Sequence, residues 1–186
     1  LALAGRLRVS VRFRDLRLHT ATIKRVLWIG YPAALEQALM QVGFLIYLIF
    51  AVRYGTAAVA AYFIGVRILS LSFLPGFGFG AAASALVGQN LGAKRPEESA
   101  KAGWIATGLS VLLMTAGGIV IAVAAERIAS LFVDDPEVIA NTVWFIYMLG
   151  ISQPFMAIDF TLGGALRGAG DTRFPLWTVV VAFYVV

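Results

Sequence analysis

Residues 102–125 read AGWIATGLSVLLMTAGGIVIAVAA, with no Asp, Glu, Lys, Arg or His among them. A helix of that length rises about 36 Å, more than the roughly 30 Å of a bilayer's hydrocarbon core, and it satisfies its own backbone polar groups on the way. The same pattern recurs on both sides. Residues 26–52 hold one charge, Glu36; residues 56–89 hold one, Arg67; residues 138–166 hold one, Asp159. A fifth apolar stretch, residues 174–186, is still running at the last residue and would rise only about 20 Å as a helix, so it reads as a truncated span. Leu at position 1, in place of Met, is read as the start of an internal piece.

Composition agrees. With 60% hydrophobic and 13% charged residues and a mean hydropathy of +0.86, a water-soluble domain of this size would lack a polar surface. The expected fold class is therefore all-α: a polytopic transmembrane helix bundle of about four complete spans plus a truncated fifth. Residues 1–23 are read as a basic cytoplasmic connector and residues 24–186 as the bundle. The absence of cysteine removes disulfides, thiolate metal sites and cysteine nucleophiles from this chain.

Loop charges orient the spans. The net charge of +5 is concentrated at Arg6, Arg8, Arg12, Arg14, Arg17, Lys24 and Arg25, opposed by Asp15 alone. Basic residues beside a first span mark the cytoplasmic side. Alternating from there, the loop of residues 90–101 with Lys94, Arg95 and Lys101 falls inside. The loop of residues 126–137 with Glu126, Asp134, Asp135 and Glu137 falls outside, and residues 167–173 return inside. The short Arg6-Leu7-Arg8-Val9 alternation has the period of a strand but no partner. The arm reads as a connector on anionic headgroups, with lipids and not nucleic acid as its partner.

The second span is too long for one straight crossing and holds Pro75, Gly76, Gly78 and Gly80 just past its middle. Proline removes a backbone donor and clustered glycines weaken the following turn, so a kink or break is expected near residues 73–80, facing the bundle interior. Small residues at Ala81, Ala82, Ala83, Ser84 and Ala85, and at Gly103, Gly108, Gly117 and Gly118 in the third span, permit close helix contact.

Charges at membrane depth are costly and carry function or pair off. Glu36 lies about 16 Å along its helix from Arg25, Arg67 a similar distance from Thr56, and Asp159 about 12 Å from Arg167. Glu36, Asp159 and Arg67 are thus candidate ion-coupling residues near one level, where two carboxylates could take up a proton or a sodium ion. The alternative is a buried ion pair that fixes packing. Around Glu36, the helical spacing of Gln37, Met40, Gln41, Phe44 and Tyr47 marks a candidate substrate-cavity strip. Met156 joins it from a stripe of Ser152, Met156, Asp159 and Gly163 on the fourth span. Such stripes also serve plain packing.

Catalytic sites are not expected. Gly168-Ala169-Gly170-Asp171 spells the GxGD string of intramembrane aspartyl proteases, but it sits in a polar loop with Arg167, Thr172 and Arg173 ahead of Pro175, which is turn chemistry. Residues 88–94, GQNLGAK, lack the GxxxxGK spacing of a phosphate loop. The single histidine, His19, lies in the basic arm, so neither a serine nor a zinc hydrolase centre has its parts. No cofactor or metal is expected beyond the coupling ion.

The order of motifs resembles a known family. Gly30-Tyr31-Pro32 opens the first span, Gly55-Thr56-Ala57-Ala58-Val59-Ala60-Ala61 forms its outer turn, and Leu86-Val87-Gly88-Gln89-Asn90-Leu91-Gly92-Ala93 closes the second. Asp134-Asp135-Pro136-Glu137-Val138 stands outside and Gly164-Ala165-Leu166-Arg167-Gly168-Ala169-Gly170-Asp171-Thr172 inside. Together they are similar to the second half of a multidrug and toxic compound extrusion (MATE) transporter. The resemblance implies two six-helix lobes around a central cavity, of which this chain is the linker and part of the C-terminal lobe, with the N-terminal lobe of the same polypeptide as its partner. It implies export of amphipathic, often cationic drugs and other xenobiotics across the cell membrane by proton or sodium antiport, with rocking between lobes. The sodium-coupled branch carries carboxylates on the first and fourth helices of this lobe. Glu36 and Asp159 stand on those helices, each about a turn from the family's place, which Met40 and Met156 fill. In proton-coupled members the essential aspartate belongs to the other lobe. The alternatives are a lipid-linked oligosaccharide flippase, with a more cationic cavity, and a non-transporting membrane scaffold, with every midplane charge paired and no cavity.

Overall fold

A computed structural model describes residues 20–184, and all their regular structure is helical: α1 Thr20–Arg53, α2 Thr56–Gly92, α3 Pro96–Val123, α4 Ala125–Ser130, α5 Pro136–Gly168 and α6 Arg173–Tyr184. Most of the basic connector lies outside the described residues, including the Arg6–Val9 alternation; its last residues, from Thr20, already belong to α1.

The helix ends follow local chemistry. Pro96 and Pro136 open α3 and α5, where a missing N–H costs nothing, and Glu97, Glu98 and Glu137 put negative charge on the positive helix ends. Asp135 caps α5, its Oδ1 accepting from the backbone N–H of Glu137 at 2.9 Å and Val138 at 3.3 Å. Gly170, at φ 91°, turns the chain out of α5, and Asp171 Oδ1 accepts from the N–H groups of Arg173 and Phe174 at 3.0 and 3.2 Å. The GxGD aspartate is thus occupied as a helix cap.

Four helices, α1, α2, α3 and α5, are long and apolar enough to cross a membrane. Their burial pattern is inside out by the standards of a soluble domain. Leu112, Val123, Trp104 and Ile151 are exposed, whereas Ser110, Thr142, Thr161 and Gln153 are buried. Thr142 and Thr107 turn their hydroxyls back to carbonyls one turn earlier, at 2.8 Å each. This is a polytopic membrane protein whose apolar shell faces outward.

The core is a three-helix unit of α2, α3 and α5; α1 packs chiefly on α6 and more lightly on α2. The α2–α5 seam is built of glycine. A Cβ added at Gly164 would collide with the Gly80 backbone, and one at Gly168 with the Ser84 backbone; one at Gly80 would stand 2.7 Å from the Phe160 carbonyl oxygen and one at Gly76 2.6 Å from the Phe160 ring. Ascending numbers pair with ascending numbers, so α2 and α5 run parallel. α3 is antiparallel to α5, with Gly118 against Gly150 and Gly103 against Ala165. Of the kink or break expected near residues 73–80, the structure has no break: α2 remains one helix from Thr56 to Gly92 with Pro75 inside it. The close fit against Phe160 and Gly164 holds this glycine-rich turn in helical form.

Candidate functional site

On the side of α2 away from α3, the light packing of α1 leaves a cavity of about 740 Å³, walled by α1, α2 and α5 and reached by Pro175 of α6. Its size is in the range of small-molecule sites. α1 contributes Glu36, Gln37, Met40, Gln41 and Phe44, the strip read from the sequence. Tyr47 and Met156 are not on this wall: Tyr47 is exposed further along α1, and Met156 packs against the Ile68–Ile146–Leu149 core and accepts from the Ser152 hydroxyl at 3.6 Å.

α2 and α5 supply the remainder. Phe73 and Phe77, one turn apart, meet Phe160 with ring centroids 5.2 and 4.8 Å away, forming an apolar aromatic wall. Tyr62 closes the α1–α2 side by donating from its hydroxyl to the Phe44 carbonyl at 2.9 Å.

Both membrane-embedded carboxylates face this space, but the cation beside them is not the expected one. Arg167 Nη1 donates to Glu36 Oε1 at 3.0 Å and Oε2 at 3.2 Å, joining α5 to α1 across 131 residues of sequence. The Glu36 side chain is 15% exposed and that of Arg167 33%, so the pair is largely withdrawn from the surroundings. Arg167 lies back along α5: a Cβ at Gly163 would stand 3.4 Å from its Nη2 and 3.7 Å from Cζ. Asp159 sits one further turn along the same face, on the cavity wall, within electrostatic reach of Arg167 and with no ion pair among the described residues. Arg67 stands apart, exposed and off the wall, which separates it from the carboxylates it was expected to join.

Arg167 ends the apolar run and so reads from the sequence as a loop residue, whereas the structure places it in the last turn of α5. The overlooked signal is periodicity: the stripe Ser152, Met156, Asp159, Gly163 continues by one more step of four to Arg167. Among the described residues no cluster of His, Asp and Glu could hold a metal ion through three such groups. What the wall offers is one carboxylate neutralised by a guanidinium, a second carboxylate open to the cavity, two glutamine amides and an aromatic face.

A family model described as MatE matches residues 32–186. The chain belongs to the MatE family. Within it, the chain is 35% identical over 164 residues to the probable multidrug resistance protein NorM of Thermotoga maritima, an alignment covering 87% of this chain and 35% of that protein. It is 33% identical over 161 residues to the multidrug resistance protein NorM of Burkholderia vietnamiensis, covering 84% and 35%. A probable NorM of Deinococcus radiodurans is 28% identical over 169 residues, covering 88% and 38%. The chain thus spans about a third of the length of these MatE relatives.

Proposed function

We propose that residues 20–184 are part of the C-terminal lobe of a secondary active transporter, and that the intact protein exports amphipathic, often cationic compounds across the cell membrane in exchange for protons or sodium ions. Family membership and the names of the NorM relatives support multidrug efflux over any enzymatic role. The observation that carries the reading is the cavity, in which Glu36 and Asp159 outnumber Arg167 beside an aromatic wall. Surplus negative charge and an aromatic wall suit a cation with an apolar body. A lipid-linked oligosaccharide calls for surplus positive charge, and a scaffold for no cavity.

Asp159 is the coupling or substrate-binding carboxylate in this reading, because it faces the cavity without an ion pair among the described residues, whereas Glu36 sets the position of Arg167. The other lobe of the same polypeptide would close the open side of the cavity. The basic arm and the loops of residues 90–101 and 167–173 are cytoplasmic in this orientation. Arg167 turns into the cavity, and Arg173, 5.0 Å over the Trp28 ring, keeps positive charge at that interface.

The test is uptake of a fluorescent amphipathic cation into vesicles holding the intact protein, driven by an imposed proton or sodium gradient. Asp159→Asn is expected to lower gradient-driven transport at least tenfold and Glu36→Gln to lower it less, both with normal membrane insertion. Unchanged transport in both variants would reduce these residues to packing.

A further inference from the structure

Among the described residues the charged side chains on the cavity wall are Glu36, Asp159 and Arg167, and the arginine is placed to serve either carboxylate. Asp159, Gly163 and Arg167 follow one another at spacings of four on the cavity face of α5. From Arg167 to Asp159 is about 12 Å along the axis, two turns toward the helix N-terminus, the direction in which helical side chains lean. The guanidinium has already covered the first turn: its Nη2 lies 3.4 Å from where a Cβ on Gly163 would stand. One further turn, about 5–6 Å between Cβ positions, remains to the Asp159 side chain.

What keeps Arg167 from closing that distance is Glu36. Both hydrogen bonds to Glu36 leave from Nη1, at 3.0 and 3.2 Å, while Nη2 stays on the Gly163 side. This hold depends on α1, which packs chiefly on α6 and only lightly on α2. Asp159, Gly163 and Arg167 all ride on α5, the helix locked to α2 by the glycine seam. A shift of α1 therefore carries Glu36 away from Arg167 and leaves the spacing of Arg167 and Asp159 unchanged. A guanidinium released at membrane depth is costly until it meets another partner, and Asp159 is the second carboxylate on the wall.

We propose that Arg167 is a tethered cation that exchanges between Glu36 and Asp159, so that the position of α1 decides whether Asp159 is free. With α1 docked, Glu36 holds the guanidinium and Asp159 stands open to the cavity. With α1 displaced, Arg167 slides along the track over Gly163, pairs with Asp159 and excludes any other cation from it. Arg167 is in this sense a positioning residue, an internal competitor for the carboxylate a cation would use. The exchange itself follows from the geometry of α1 and α5; its effect on an exported cation rests on the function proposed for the cavity.

Two measurements on the intact protein in lipid nanodiscs test it. The first is thermal unfolding. With Glu36 in place, Asp159→Asn removes a carboxylate that has no ion pair, and the unfolding temperature should hold or rise. In the Glu36→Gln background the same change removes the new partner of Arg167, and the temperature should fall by on the order of 2 °C. The same effect in both backgrounds overturns the exchange. The second is equilibrium binding of a fluorescent styrylpyridinium cation. Glu36→Gln should weaken it at least fivefold, and adding Arg167→Gln should recover at least half of that loss, because nothing is left to occupy Asp159. Undiminished binding in Glu36→Gln, or no recovery on adding Arg167→Gln, overturns the competition. If the unaltered protein binds no dye, the cation-export reading fails, and the unfolding cycle alone decides the exchange. Should Glu36→Gln not fold, Glu36→Asp, one methylene shorter, takes its place in both assays. Smaller shifts of the same sign are then expected, and their absence overturns the proposal.

Discussion

The two sides of α2 are held by different physics. Toward α5, backbone meets backbone: Gly80 against Gly164 and Ser84 against Gly168 leave no room for a single methyl group. Toward α1, a cavity of about 740 Å³ intervenes, and the polar ties across it include the Glu36–Arg167 ion pair and the Tyr62–Phe44 hydrogen bond. With no hydrophobic force between helices in lipid, close packing carries association where it is available and polar groups carry it where it is not. The glycine seam therefore marks the rigid half of this unit, and α1 with α6 the half that can shift around the cavity.

Breaking the seam should produce the largest effect. Gly164→Leu forces a side chain into the Gly80 backbone, which cannot yield as a flexible side chain would. A loss of about 3 kcal/mol or more is expected, with little folded protein recovered from membranes. Gly108→Leu, where an added Cβ meets nothing within 4 Å, is the control and should insert and fold normally. Equal yields from the two variants would end the argument for a backbone-tight seam.

On the loose side, Arg167→Met leaves the Glu36 carboxylate without its cation. Because both side chains keep some exposure, the expected loss is about 1–3 kcal/mol, less than for a fully buried pair. Adding Glu36→Met should recover part of it, since two apolar groups replace two charges. Thermal unfolding of the three variants reads this coupling directly. A double variant less stable than either single one would mean that the pair itself, and not relief of an unpaired charge, holds α1.

Much of this contrast was visible in the residues. Span positions followed from the spacing of charges, and the turn after α5 from Gly170, Asp171 and Pro175, because both depend on local chemistry; the capping roles of Asp135 and Asp171 appear only in the structure. The strip Gln37, Met40, Gln41, Phe44 followed from a 3.6-residue period. What stayed hidden was which face of each helix meets which neighbour. Arg67 and Arg167 are both arginines near an apolar run, and depth alone favoured Arg67; only the parallel, glycine-tight placement of α5 brings Arg167 across to Glu36. That α2 continues as one helix past Pro75, where a kink or break is expected, has the same origin, since close packing against Phe160 and Gly164 is a tertiary fact that intrinsic propensity does not contain.

Gly163 offers a finer probe of the loose side. The guanidinium of Arg167 lies in ordinary contact with the place a Cβ would take, so Gly163→Ala should be tolerated, whereas Gly163→Leu would lift Arg167 off α5. The expected cost is about 1 kcal/mol. The more informative readout is transport. With Arg167 displaced from the face it shares with Asp159, gradient-driven uptake of an amphipathic cation should change at least threefold for Gly163→Leu and little for Gly163→Ala. Identical uptake in both would show that the position of Arg167 along α5 is irrelevant to the cavity.

The smallest effect belongs to the second tie. Tyr62→Phe removes one hydroxyl, 2.9 Å from the Phe44 carbonyl, and preserves the ring that lines the cavity. The Phe44 carbonyl is already inside a helix, with a backbone donor of its own, so losing the phenol does not orphan it. The expected cost is about 0.5–1 kcal/mol, at the lower end for a single hydrogen bond. Its value lies in combination. If α1 is held by two polar ties and not by packing, Tyr62→Phe with Arg167→Met should free it, seen as faster proteolysis of the loop between α1 and α2 at Tyr54–Gly55 while α2, α3 and α5 stay protected. Uniform protection across all helices would place α1 in the rigid unit and erase the distinction between the two sides of α2.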